Sequence, residues 1–368
     1  MYRVLIIGGY GFFGGRLVQL LACQPNLHIV VCGRSEATAQ ALVQRLLPDA
    51  RAQLEAQVAD IAEPSFLQTL HALRPDVVVH TAGPFQGQDY RVAEACIVAH
   101  SHYIDLADGR EFVEGVGILN ATAERAGVLV TSGASSVPAL SSAVVDALAA
   151  GLRTVQSIEI GISPGNRTER GLSTVRAILA YCGKRLPPHT DGSEVGWRKT
   201  YAHQYPAPVG PRLLSPCDVP DLVLLGPRYT GNPRVRFGAG LELKFLHRGM
   251  NFMAMLSQLG VVRNWADHAN ILKRMADWFR HWGSDAGAMH VSVTGTDDAG
   301  RAMTRVWHLV ATQGDGPFVP TLAAAALVRK LATGDVPPAG ARPCIGLLTL
   351  HDFLVEAHGM HITMEVEP

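Results

Sequence analysis

The 368-residue chain has no surplus charge of either sign, since 32 Lys and Arg stand against 32 Asp and Glu. No basic block or stripe occurs. Nucleic-acid and membrane surfaces are therefore set aside, and small neutral or zwitterionic partners are left. Also missing is any unbroken apolar run near the roughly 18 residues a membrane helix needs. The apolar start Val4–Ile7 is too short for the core of a secretory signal. The six cysteines, at 23, 32, 96, 182, 217 and 344, include no C-x-x-C pair. That spacing speaks against a disulfide framework and for reduced, mostly buried thiols in a cytoplasmic protein. Tyr90, Tyr103 and Tyr181 all lack a lysine four residues on, so the Tyr-x-x-x-Lys pair of short-chain reductases is absent. His100 and His102, bracketed by Ser and Tyr, supply too few ligands for a metal, as does the late "HGMH", and no metal is predicted.

What is present is a 48% hydrophobic composition and a length that suits two domains. Over residues 1–150, short β-branched runs ("RVLIIG", "LHIVVCG", "DVVVHTA", "HYIDLA", "GVLVTSG") alternate with helical stretches at Phe12–Cys23, Glu36–Leu47, Pro64–Leu73, Asp89–His100 and Arg110–Ala126. Nearly continuous apolar strands suit parallel pairing with both faces covered. The rhythm predicts an α/β domain with a doubly wound parallel sheet. Over 151–318 the pattern changes. "TVQSIEIGIS", "RVRFGAGLELKF" and a hairpin around the turn "DDAG" predict an α+β domain of mainly antiparallel sheet. Helical patterns fall at Gly249–Leu259 and Asn264–Trp282, and a polar passage runs from Leu186 to about Pro233. The strand-rich second domain is an option for edge-to-edge pairing into a homodimer. "PTLAAAALVRKLATG" predicts a helix opened by Pro320 and stopped at Gly334, and "HITMEV" a last strand.

The first strand runs into Gly9-Tyr10-Gly11-Phe12-Phe13-Gly14, a G-x-G-x-x-G placed between a strand and a helix. In that setting the glycines allow a tight turn, close backbone approach to a pyrophosphate and close helix–sheet packing, while the helix start offers N–H groups. The second strand ends at Cys32-Gly33-Arg34-Ser35, where an NAD-binding chain would carry an acid. Arg34 can neutralise a 2′-phosphate and Ser35 can hydrogen-bond it, which favours NADP(H); the plain alternative for Arg34 is a solvated helix opener. Asp60 either accepts a bond from the adenine amino group or caps the helix near Pro64. The small residues Thr81, Ala82, Gly83 and Pro84 can admit the ribose and nicotinamide, or can be ordinary turn chemistry.

These residues, with "GGYGFFGG", "CGRS", "VADI", "HTAGPF", "HYIDLADG", "SGASSVPALSS" and the late "GDGPFVPTLAAAALVRKLATGDVPPAG", resemble the saccharopine dehydrogenase-like oxidoreductases. The resemblance covers the cofactor domain and the last fifth of the chain. It implies an NADP-binding Rossmann domain, an inserted domain forming a substrate cleft, and a segment 319–368 whose helices return to the first domain. It also implies hydride transfer at a carbon–nitrogen bond of an amino-acid-like substrate. Carried over by position, the cofactor contacts are Gly9, Tyr10, Gly11, Phe12, Phe13, Gly14, Arg34, Ser35, Asp60, Thr81, Ala82, Gly83 and Pro84.

For polar work near the substrate, Tyr103, Asp105 and Asp108 sit at the C-terminal end of a buried strand, where helix capping or local backbone bonding are the plain alternatives. Arg167, Arg170, Lys184, Arg185, Arg198 and Lys199 are the basic residues that could hold a substrate carboxylate. Besides imine chemistry, two readings stay open: an enoyl or carbonyl reductase on an apolar substrate, and an NADP(H)-sensing protein without turnover.

Overall fold

A computed structural model describes residues 1–187 and 194–367. The chain opens with β1 (Tyr2–Ile7), α1 (Phe12–Leu21), β2 (Leu27–Gly33), α2 (Glu36–Leu46) and β3 (Gln53–Val58). It continues with α3 (Phe66–Leu73), β4 (Val77–His80), α4 (Arg91–Val98), β5 (His102–Asp105), α5 (Arg110–Gly115), α6 (Asn120–Ala126) and β6 (Leu129–Ser132). Next come α7 (Ser141–Ala149), β7 (Thr154–Ser163), α8 (Leu172–Ala180), β8 (Tyr201–Gln204), β9 (Pro211–Pro216) and α9 (Asp221–Leu224). Then follow β10 (Arg234–Gly240), α10 (Lys244–Gln258), α11 (Ala269–Asp277), β11 (Gly287–Thr296) and β12 (Ala302–Ala311). The chain closes with α12 (Val319–Ala332), β13 (Gly340–Pro343), α13 (Leu350–Glu356) and β14 (Ile362–Val366).

Two compact units result. One comprises Met1–Leu140 and Phe318–Glu356; the other comprises Ser141–Pro317 and the residues from Ala357 on. In the first unit seven parallel strands take the order β13-β6-β5-β4-β1-β2-β3. The chain reverses direction across the sheet between β1 and β4, the place where doubly wound sheets bind ligands beyond their strand ends. Val4, Leu5, Ile6, Val77, Val78 and Val79 have no solvent exposure, which explains their unbroken apolar spelling. At about 1.5–3 kcal/mol for each such side chain fully buried, these two central strands carry much of the unit's stability.

The alanine run needs more than helix propensity to explain it. Ala323, Ala324, Ala325 and Ala326 are all fully buried, and α12 lies against α1 and α13. Methyl side chains let the helix backbones approach closely. The stretch expected as one helix over 110–126 is instead α5, a 3-10 turn at Val116–Leu119 and α6. Gly115 and Gly117 fall at that break, where glycine weakens a helix interior by about 1 kcal/mol.

In the second unit the strand order is β14-β12-β11-β7-β10-β9-β8. All neighbours are antiparallel except β7 and β10, so the sheet is mixed. The polar passage after Leu186 contains β8, β9 and α9, and its residues 188–193 lie outside the described residues. The run "RVRFGAGLELKF" splits: the strand stops at Gly240, and α10 begins at Lys244. The last strand also departs from expectation. Instead of staying with the first unit, β14 pairs with β12 at the edge of the second sheet. Among the described residues no helix is long and apolar enough to cross a membrane. No disulfide joins the cysteines among the described residues, and of the six only Cys23 is exposed.

Candidate functional site

The turn after β1 is built around the Gly8 carbonyl. Gly8 itself takes the left-handed conformation (φ +72°), so the tight turn lies one residue before the G-x-G-x-x-G motif. The Gly11 N–H donates to the Gly8 carbonyl (2.7 Å), and Gly11 stands at the start of α1. Gly14 packs so closely that a Cβ there would lie 2.1 Å from the Gly8 oxygen and 2.6 Å from Thr81 Oγ1. Helix, strand end and the loop after β4 therefore meet at glycine backbone. The first N–H groups of α1 point out of this turn with no partners within their own helix. A pyrophosphate fits such a cradle, because any side chain in it would fill it.

Phe12 and Phe13 meet edge to face at 4.9 Å, and the Arg16 guanidinium covers the Phe12 ring at 4.0 Å. That contact, a cation over an aromatic face, fixes the first turn of α1. Arg16 carries no signature in the motif and was not among the residues expected.

At the end of β2 the structure gives one residue a second part and sharpens another. Tyr10 lies across Gly33, where a Cβ would stand 2.4 Å from the ring, and its hydroxyl accepts the Ser35 N–H at 2.9 Å. Ser35 Oγ is occupied as the cap of α2: it accepts the Thr38 N–H (3.3 Å) and meets the Thr38 hydroxyl (2.8 Å). Ser35 thus also anchors the loop. Arg34 between them is exposed, with neither a hydrogen bond nor an ion pair among the described residues. Asp60 closes a local turn, its Oδ1 accepting the Ala62 N–H (3.0 Å), while α3 starts only at Phe66.

The loop after β4 is pinned from both sides. The Thr81 hydroxyl donates to the Ile7 carbonyl (2.8 Å), joining β4 to the end of β1. Gln88 Nε2 donates to the carbonyls of Ala82 (3.0 Å) and Pro84 (2.7 Å). Phe85 is buried between His80 and Phe112, with ring centroids at 5.0 and 5.4 Å. Gln88 is a further residue that sequence reading passed over. No motif marks it, and only the fold brings its amide onto the loop.

Two of the three polar candidates on β5 turn inward. Tyr103 is buried in the apolar core, its hydroxyl 3.1 Å from His80 Nδ1, and burial raises its phenol well above the ordinary range. Burial also holds His80 down at about 4, so this pair is neutral. Asp105 is fully buried, and its Oδ1 accepts the Ala107 N–H (3.0 Å), the Gly133 N–H (2.8 Å) and the Ser132 hydroxyl (2.9 Å). It ties β5 to the end of β6. Its Oδ2 has no partner, and burial pushes the carboxyl up to about 6 despite the three donors. The expectation that Tyr103 and Asp105 face a substrate is therefore corrected: both serve the domain interior. Asp108 remains at a strand end, partly exposed, with Gln86 Nε2 donating to its Oδ1 at 3.2 Å. Burial raises its carboxyl as well.

Of the six basic residues named in the second unit, Arg170 is singled out. Its Nε and one terminal nitrogen are buried without a hydrogen-bond partner, and burial lowers its pKa. A guanidinium in that state has donors to spare for a planar carboxylate.

Comparison with known proteins agrees with this geometry. Residues 4–144 match the family described as the saccharopine dehydrogenase NADP binding domain. No curated protein sequence matches the chain. Among solved structures, apo saccharopine dehydrogenase (L-Glu forming) from Saccharomyces cerevisiae is similar with a TM-score of 0.69, at 13% identity and with 100% of each chain covered. Amine dehydrogenase from Mycobacterium smegmatis is similar with a TM-score of 0.51, at 11% identity and 95% coverage of each chain. Residues 4–144 thus match the saccharopine dehydrogenase NADP binding domain, in a chain that shares the fold of saccharopine dehydrogenase.

Proposed function

We propose that this oxidoreductase prefers NADP(H) to NAD(H) and transfers hydride at a carbon–nitrogen bond of a small carboxylated metabolite. The observation that carries the cofactor preference is Arg34: exposed, unpartnered, and flanked by no carboxylate from Cys32 to Ser35. When bound, NADPH supplies the hydride. The turn at Gly8–Gly14 and the start of α1 hold the pyrophosphate, and Arg34 holds the 2′-phosphate. Tyr10 keeps the Arg34 loop in place through the Ser35 N–H. Thr81 and Gln88 hold the loop of Ala82, Gly83 and Pro84 rigid, which serves orientation.

Imine chemistry suits what the first unit offers. A protonated imine is already electrophilic and needs no acid at the hydride step, whereas a ketone needs a donor for the developing alkoxide. Tyr103 and Asp105 are engaged inside the domain, which leaves Asp108, steadied by Gln86, as the acid at the strand ends. The fold likeness to an amine dehydrogenase is consistent with this class.

The test has two arms. NADPH and NADH affinities are compared for the wild type and Arg34→Ala by cofactor fluorescence. NADPH oxidation is then followed with panels of amine–keto-acid pairs and of enones. NADPH should bind tighter by at least about tenfold, an advantage Arg34→Ala removes, since a charge-assisted hydrogen bond contributes about 1.5–3 kcal/mol. Equal or tighter NADH binding overturns the preference. Turnover of enones alone overturns the carbon–nitrogen assignment, and silence in both panels points to a sensing role.

A further inference from the structure

The second unit gathers histidines that lie far apart in sequence. Three strands separate β8 from β11 in the sheet order, yet the His203 and His290 rings stack at 3.5 Å with an interplanar angle of 6°. Only a curled sheet allows this, with β8 folded over the face that carries His290. On that face His290 pairs in register with His308 of β12 and with Gly161 of β7. A Cβ at Gly161 would lie 2.3 Å from the His290 ring, so the glycine makes room for the imidazole. Glu159 precedes Gly161 by two residues and therefore shares its side of the strand.

The bonding of His290 is one-sided. Its Nδ1 lies 2.9 Å from the Tyr205 hydroxyl, while its Nε2 is buried with no hydrogen-bond partner. The nearest acid, Glu159 Oε1, is 3.7 Å from that Nε2, too far for a hydrogen bond. Among the described residues, that long contact is the one acid beside the buried nitrogen, which leaves room for a closer partner. His290 is fully buried, whereas the Glu159 side chain is 36% exposed and opens the cluster to solvent. One ligand atom from each of Glu159, His203 and His290 lies within 4.8 Å of the other two.

From this geometry we infer that Glu159, His203 and His290 form a divalent transition-metal site that takes Zn²⁺. Two imidazoles and one carboxylate are the borderline nitrogen and oxygen donors this ion favours, and three protein ligands leave a position for water. Zinc–ligand bonds of about 2.0–2.2 Å lie in the plane of each imidazole, so binding draws the donor atoms inward and turns the His203 ring out of its stack on His290. The surrounding groups act as orienting partners. Tyr205 fixes the ring of His290 through Nδ1, leaving Nε2 as the ligand. His308 Nε2 meets His203 Nε2 at 3.0 Å, and its Nδ1 stands 3.2 Å from Glu367. The sequence expectation of no metal weighed only histidines close together along the chain; here each ligand comes from a different strand.

The chain, free of any affinity tag and stripped with a chelator, is titrated with Zn²⁺ against a chromogenic zinc indicator. Co²⁺ absorption in the visible range gives a second readout. One equivalent should bind. Glu159→Gln and His203→Ala, both at partly exposed positions, should each weaken binding by at least about tenfold. Circular dichroism and the unfolding midpoint confirm that each variant is folded, and neither readout depends on the cofactor assignment. Binding well below one equivalent in the wild type overturns the site, as does unchanged affinity in both variants.

Discussion

At the residue level Gly14 has the least room of any position in the cofactor turn. A methyl group there meets the Gly8 carbonyl and the Thr81 hydroxyl at once, neither of which is the free end of a flexible side chain. Gly14→Ala should cost about 1–3 kcal/mol in urea denaturation and should abolish NADPH binding by fluorescence. Asp105 makes a different prediction. Its carboxyl titrates near 6 in the folded chain, against about 3.9 when unfolded, so between those values the folded chain holds the extra proton. Stability contributed by this group therefore falls as pH rises through that window, by about 2–3 kcal/mol in all. Asp105→Asn cannot ionise. Its stability relative to wild type should rise between about pH 4 and 6 and stay level above that, as read from denaturation midpoints. An unchanged difference across the window sinks the assignment. The residues legible from sequence were those with positional grammar: glycines at fixed spacing and an arginine where an acid would stand. Tyr103 and Asp105 were misread because phenol and carboxylate groups serve interior bonding as readily as chemistry. Only burial and partners separate the two uses.

Among elements, the loop after β4 rests on one amide. Gln88→Ala leaves the Ala82 and Pro84 carbonyls without that donor, at about 1–3 kcal/mol if neither is rescued by water. Amide hydrogen exchange over residues 82–86 should rise in the variant. NADPH affinity should weaken while the midpoint of unfolding shifts only modestly. The parallel strands were legible because both faces are buried and their spelling is continuous. The helix over 110–126 was not, because periodicity carries through the glycines where the backbone breaks. The strands β8 and β9 escaped for another reason: they are four and six residues long, and β8 buries none of its residues fully, so little apolar period is left to read.

For the whole molecule, the two units give separable ligand responses. NADPH at about 100 times its Kd stabilises the fold that binds it by about 2.7 kcal/mol. Hydrogen exchange should show that protection at Gly8–Gly15 and at Arg34–Ser35, and Zn²⁺ should protect β8 and β11 instead. NADPH protection confined to the second unit contradicts the cofactor assignment. The division itself was only partly legible. The change of rhythm after residue 150 marks a new kind of sheet, but nothing local in "HITMEV" says which sheet it will join.

The seventh strand of the first sheet also sets a timetable. β13 pairs with β6 and comes from residues 340–343, some two hundred positions later. During synthesis the strands β1 to β6 emerge first, and the edge of β6 waits with open backbone groups until residue 343 has left the ribosome. Such an edge is a template for wrong partners. Nascent chains arrested before residue 340 should therefore be the species most in need of a chaperone, and release of β13 should end that need.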